Sequence, residues 1–325
     1  MTEFLLNIFK WINDVVTNNF GLTIILFTVL FRIICLPVDF YSRKGQRDYA
    51  IKMNAMKGEM DLIMKAYKND PQRQQQEMMA LRKKHGVGMM PKGCFSQLLV
   101  YPLLIAFFAV FRNMAAMQIQ QLSDLVTQYG AESAEVTAWF SENSFLWIKN
   151  IWMPDNLVNT TEMFLVRLIP LINGISCDVV PVGNQLAQTM AAIGTDNATL
   201  EVISANMNAV KDTALAAGAN GLFILPVLSG VLQYFSMKIT NKLNPQNAAM
   251  EMANPGAASG NKMTKFMTVF FPILFGWICL TSSSALAIYW ITSSVVMTAF
   301  NVAIAKFLDY MDKKKEQAAM GVIKE

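Results

Sequence analysis

Five apolar runs, each about as long as the hydrocarbon core of a bilayer is thick, constrain this chain more than any other feature. Residues 20–38 are apolar apart from Thr23, Thr28 and Arg32, and a helix of that length rises about 28 Å. Further runs occupy 96–116, 219–237, 266–283 and 285–307. The last two are separated by almost nothing, which predicts a tight hairpin across the membrane. A soluble fold would have to bury each run on every side. The chain is 54% hydrophobic and 15% charged, whereas an average soluble domain is about 25% charged. The expected fold class is therefore all-α: a polytopic membrane protein with five transmembrane helices.

Residues 1–19 precede the first span and place Phe4, Leu5, Ile8, Phe9, Ile12, Val15 and Val16 on one helical face, which predicts an N-terminal helix lying in the interface. The basic start and small-residue cleavage site of a secretory signal are missing from it, so no removal is expected. Charge then orients the spans. Residues 41–93 carry 12 Lys/Arg against 5 Asp/Glu, residues 118–218 carry 3 against 10, and residues 238–265 carry 4 against 1. The tail, 308–325, contains Lys313, Lys314 and Lys315. With five spans every basic loop falls in the cytoplasm and the acidic 118–218 segment outside, as the positive-inside rule prefers. The N-terminus is then outside and the C-terminus cytoplasmic. An interrupted apolar run, Met163–Val180, would force a basic loop outward if counted as a sixth span, so it is expected at the outer surface.

Within the first basic loop Tyr49, Met53, Met56, Met60, Ile63 and Tyr67 recur at heptad spacing on a helix of about five turns. Asn69-Asp70-Pro71 then supplies a cap followed by proline at a first helical position. Met78, Met79 and Leu81 give the second arm an apolar face, which runs to His85-Gly86. This predicts a cytoplasmic antiparallel helical hairpin, methionine-rich inside and basic outside. It reads equally as a solvated spacer or as an adaptable surface for apolar partners, anionic lipid or ribosomal RNA.

Arg32 lies about 8 Å inside the cytoplasmic end of the first span. A charge there costs roughly 2.5 to 3.5 kcal/mol. Its long stem could carry the guanidinium to the headgroups; alternatively the charge marks a wetted cavity open to the cytoplasm. No acidic residue occurs in the other spans to neutralise it. In the second reading an acidic or polar stretch of an incoming chain is held by Arg32 and water while its apolar remainder slides into lipid. Gln97, Gln233, Ser293, Ser294 and Asn301 are candidate walls, although each also suits an ordinary interhelical hydrogen bond. Pro272 and Pro226 are expected to kink their helices.

No enzyme chemistry is suggested. The spans lack paired carboxylates and histidine, Ser282, Ser283 and Ser284 have no visible base, and no phosphate-binding glycine loop occurs. His85, the only histidine, sits beside Arg82, Lys83 and Lys84 and reads as a solvated helix end. Cys35, Cys94, Cys177 and Cys279 suggest neither a disulfide framework nor a zinc site. The net charge of +4 is too small to signal DNA binding. No cofactor is expected. A small-solute or anion transporter is the alternative function, since a buried arginine suits anions; such proteins usually carry paired repeats, and no internal repeat is visible.

Several segments in order are similar to a known family. Phe31-Arg32-Ile33-Ile34-Cys35-Leu36-Pro37 is similar to its groove-facing arginine helix. Lys52-Met53, Ala66-Tyr67-Lys68-Asn69-Asp70 and Leu81-Arg82-Lys83-Lys84-His85-Gly86-Val87 look like its cytoplasmic hairpin. Lys92-Gly93-Cys94-Phe95 through Tyr101-Pro102-Leu103-Leu104-Ile105, Phe145-Leu146-Trp147-Ile148 with Pro154-Asp155, and Ala287-Ile288-Tyr289-Trp290 complete the set. The chain thus resembles the YidC insertase family, with its mitochondrial Oxa and chloroplast Alb relatives. The resemblance implies a five-helix core in a bacterial plasma membrane, with a hydrophilic groove open to cytoplasm and lipid that includes Arg32, Tyr289 and Trp290. Nascent membrane proteins and membrane lipids are the implied partners, joined by the Sec translocon, ribosomes and signal-recognition components.

Overall fold

The computed structural model describes residues 2–88, 100–155, 183–217, 223–243 and 259–322. Among these the fold is all-α, with no strand and one isolated bridge, Phe145 to Ile148. The helices are α1 (Thr2–Trp11), α2 (Phe20–Ala55), α3 (Lys57–Ala66), α4 (Pro71–Lys84), α5 (Val100–Tyr129), α6 (Ala134–Glu142), α7 (Gly183–Met190), α8 (Asn197–Ala209), α9 (Lys211–Ala217), α10 (Ile224–Leu243), α11 (Ser259–Thr281) and α12 (Ser284–Val322). By length and composition, α2 and the Ser284–Lys315 part of α12 are long and apolar enough to cross a membrane, and Phe266–Leu280 is a shorter apolar helix. The Met163–Val180 run lies outside the described residues, as does Gln97.

The chain forms two compact units. The first comprises Met1–Phe31, Pro102–Gln233 and Pro272–Ser293; the second comprises Arg32–Tyr101, Tyr234–Phe271 and Ser294–Glu325.

In the first unit α1 is followed by a turn of π-helix, Ile12–Thr17, that ends at left-handed Asn18. Phe9 and Ile12 are buried while Phe4, Val15 and Val16 stay exposed. Phe9 sets its ring edge against Phe27 and Phe111, with centroids 5.5 and 6.1 Å away. A second core joins α5 to α6–α9. α5 continues well past residue 116, and its Ile119, Leu122 and Val126 pack with Trp139 and Phe140 of α6, Met190 of α7 and Ile203 and Met207 of α8. Side-chain caps start two of these helices: Ser133 accepts from the Val136 amide and Asp196 from the Thr199 amide.

α10 and α11 meet closely in the same unit. A Cβ on Gly230 would lie 3.2 Å from the Pro272 carbonyl oxygen, and one on Gly276 would lie 3.3 Å from that of Pro226. The two glycines therefore let the backbones touch, as small residues do in membrane helix pairs. Pro272 is interior to α11. Pro226 is not interior to α10: it falls in the first turn, where its missing N–H would have had no intrahelical acceptor, so no kink follows from it.

In the second unit the hairpin arms are the end of α2 with α3, and α4. Tyr49, Met53, Met56 and Met60 are buried against Met78, Leu81 and Val87. The first arm is broken at Met56, whose backbone leaves helical geometry. Asp70 caps α4 by accepting from the Arg73 amide, with Pro71 in the first turn. Met79 departs from expectation: it is 44% exposed, because the second arm buries only a narrow stripe. His85 is exposed at the end of α4, 3.0 Å from Glu59, which also pairs with Lys84 at 3.3 Å.

Candidate functional site

Arg32 sits in the fourth turn of α2, half-buried. Helical spacing puts Cys35, Asp39, Ser42, Arg43 and Gln46 along the same face. Pro37 does not end this helix, which runs on to Ala55; it removes one backbone donor, leaving the Ile33 carbonyl without its usual partner next to Arg32. Arg32 interacts electrostatically with Asp39, and Asp39 also with Arg43. Asp39 Oδ2 is buried without a hydrogen bond among the described residues. The countercharge to Arg32 is thus found on its own helix, two turns on. Sequence reasoning sought it in the other spans, and the i to i+7 spacing was the signal that would have found it.

Further along α2, Arg47 is fully paired. Arg47 donates through Nε to Asp312 at 2.9 Å and through Nη1 to Asp309, tying α2 to α12. Polar side chains in the second unit also join α12 and α11 to α10. Thr298 Oγ1 donates to Ser236 Oγ at 2.7 Å, Asn301 Nδ2 to Thr240 Oγ1 at 3.3 Å, and Asn241 Nδ2 to Thr268 Oγ1 at 3.0 Å. Ser294 contributes its carbonyl to Thr298 at 2.6 Å. Asn301 therefore makes the interhelical bond that its position in a span already suggested.

Gln233, Tyr289, Trp290 and Ser293 belong to the first unit, Arg32 and Ser294 to the second. Tyr289 is 1% exposed, its ring edge-on to Phe108 and tilted against Phe111. Trp290 packs edge-on to Phe275 at 4.5 Å. Both are brought together as an aromatic core. Ser293 is buried and Gln233 half-buried.

The segment 143–155, legible in the sequence only as a motif, is a polar clasp in the first unit. Asp155, 1% exposed, accepts from the Leu225 amide at 2.9 Å and from Trp147 Nε1 at 3.2 Å. It thereby caps the N-terminus of α10 across 70 residues. The Met153 carbonyl accepts from both the amide and the hydroxyl of Ser284, and the Ile151 carbonyl from the Ala285 amide, which caps α12. Asn143 Oδ1 takes Trp152 Nε1 at 2.9 Å, and Asn19 Nδ2 donates to the Ser144 carbonyl at 3.2 Å. The ring of Phe145 occupies the space a Cβ would need at Gly21. One short segment so satisfies orphan groups at the starts of two long helices and holds Asn19, whose own Oδ1 caps α2 by accepting from the Gly21 and Leu22 amides.

The profile of the "60Kd inner membrane protein" family matches residues 11–314. Among similar proteins, one from Clostridium tetani named "Membrane protein insertase YidC" is 35% identical over 159 residues, covering 48% of this chain and 59% of that protein. Its namesake in Chlorobaculum parvum is 32% identical over 155 residues, 48% of this chain and 22% of the relative. That of Chlorobaculum tepidum is 26% identical over 320 residues, 98% of this chain and 38% of the relative. The chain thus spans less than two thirds of the length of these relatives.

Proposed function

The chain belongs to the 60Kd inner membrane protein family, and from that premise we propose that it is a membrane protein insertase of the YidC type. The observation that carries the reading further is a half-buried arginine in an apolar helix, sharing its face with a carboxylate that has one unsatisfied oxygen. Charge so placed is costly in hydrocarbon and is retained where a polar guest or water meets it. Arg32 holds an acidic or polar stretch of an incoming chain in a hydrophilic groove open to cytoplasm and lipid. Asp39 competes with that stretch for the guanidinium and so favours its later release. The hydrophobic remainder of the substrate passes sideways into the bilayer. Five spans, at 20–38, 96–116, 219–237, 266–283 and 285–307, surround the groove, with the N-terminus outside, the hairpin and C-terminus cytoplasmic. Gln97, Gln233, Ser293 and Ser294 supply its further polarity. Nascent membrane proteins are the substrates; the Sec translocon, ribosomes and signal-recognition components are candidate partners.

Depletion and complementation test this. Cells lacking the protein should fail to insert short, weakly charged single-span proteins, and normal insertion would refute the reading. Arg32→Lys should restore insertion better than Arg32→Ala, with alanine at least about tenfold slower given what an intramembrane charge is worth. Equal rates in the two variants would remove the electrostatic step.

A further inference from the structure

Two cavities follow one another along α2 in the second unit. The first, about 490 Å³, is lined wholly by apolar side chains, among them Leu36, Pro37 and Phe40 of α2 and Phe300, Ala303 and Phe307 of α12. A groove so lined offers water no hydrogen-bond partner. The second, about 480 Å³, is lined by Tyr41, Lys44, Asp48 and Lys52 of α2 with Gly86 and Gly88 at the foot of the hairpin. Lys44 joins the two: four residues past Phe40 and seven past Pro37, it stands about 6 Å along the helix from the apolar lining. Among the described residues no ion pair involves Lys44, Asp48 or Lys52. The nearby cation Arg47, by contrast, is occupied by Asp309 and Asp312.

The geometry points to a bound phospholipid, with an acyl chain in the apolar cavity and its phosphate against Lys44. This rests on the span assignment of the proposed function, in which residues 36–38 and 300–307 end the first and fifth spans and Phe40 follows directly. The apolar cavity then lies at the edge of the hydrocarbon and Lys44 at headgroup depth, where basic pockets between helices recognise lipid phosphates. Asp48 selects among headgroups. A primary ammonium beside the phosphate brings its carboxylate both a positive charge and N–H donors, a glycerol headgroup brings it no cation, and a quaternary ammonium has no N–H to give. The preferred lipid is therefore a phosphatidylethanolamine.

The test is native mass spectrometry of the full chain in detergent with phosphatidylethanolamine, phosphatidylglycerol or phosphatidylcholine added at equal concentration, and with inorganic phosphate as a separate arm. Phosphatidylethanolamine should be retained about tenfold more tightly than phosphatidylcholine, a difference of one well-made polar contact. Lys44→Gln, at an exposed position, should weaken phosphatidylethanolamine and phosphatidylglycerol alike, Asp48→Asn should shift preference toward phosphatidylglycerol, and Ala303→Trp should weaken all three by filling the cavity. Equal retention of the three lipids, indifference to Lys44→Gln, or phosphate binding as strong as lipid binding would each overturn the proposal. No substrate chain is present in this measurement, so its failure leaves the insertase reading standing, and failed insertion in cells leaves a positive lipid result standing.

Discussion

Replacing Asp39 by asparagine removes one negative charge from the face that carries Arg32 while keeping the side chain's shape. Across the two turns that separate them the attraction is about 1 to 2 kcal/mol at an effective dielectric of about 20, and less after screening of half-exposed groups. Asp39→Asn should therefore increase cross-linking of an acidic substrate segment to the Arg32 turn by a few-fold and slow its release; unchanged cross-linking would show that the carboxylate plays no part. Asp155 is a different case, because its carboxylate caps α10 and holds Trp147 at once. Asp155→Ala leaves a buried amide and a half-buried indole N–H without partners, at about 1 to 3 kcal/mol. Asp155→Asn keeps an acceptor and should recover most of that. Thermal inactivation in detergent, followed by size-exclusion chromatography, separates the two; equal melting of both variants would deny the cap its role.

At the scale of elements, the sequence revealed most where order is local. Heptad spacing and the Asp70-Pro71 cap identified the hairpin because each signal acts within a few residues. The packing of α5 with α6–α9 was not legible: its helices are short, and the partners of Leu122, such as Ile203 and Met207, lie far along the chain. The clasp is similarly opaque, since its carbonyls and Asp155 serve helix ends remote in sequence and leave no period. Gly276 and Gly58 illustrate how context decides a substitution. Gly276→Ala places a methyl against the Pro226 carbonyl and should separate α10 from α11, lowering thermal stability. A Cβ at Gly58 meets nothing within 4 Å, so Gly58→Ala in α3 should stabilise the hairpin by about 0.5 to 1 kcal/mol. Hydrogen exchange on α3 and α10 reads both effects. The hairpin also responds to acid. Hydrogen bonding from Lys84, aided by His85, holds the Glu59 carboxyl below its usual 4.5. Its contribution is therefore complete above pH 4.5 and lost as pH falls through the lowered value. Exchange at the ends of α3 and α4 should rise modestly in that window, and added salt should mimic it.

For the whole molecule, packing and charge divide the chain in the same places. The described parts of the basic stretches 41–93 and 238–265 and the lysines of the tail belong to the second unit, and the described parts of the acidic 118–218 to the first. Like charge is thus gathered within each unit, as the proposed orientation requires if the positive stretches are to stay on the cytoplasmic side. The chain passes from one unit to the other within α2, α5, α10, α11 and α12, each of which carries apolar sequence at the passage. Cysteine labelling in intact cells tests this orientation directly. In a chain whose four native cysteines are replaced by serine, a cysteine at exposed Glu201 of α8 should react with an impermeant maleimide from outside. One at exposed Lys68, beyond α3, should react only after the membrane is opened. Both sites are solvent-facing in the fold, so a difference between them reports the barrier rather than burial. Labelling of Lys68→Cys in sealed cells would invert the orientation and place the Arg32 face on the wrong side to receive chains from the cytoplasm.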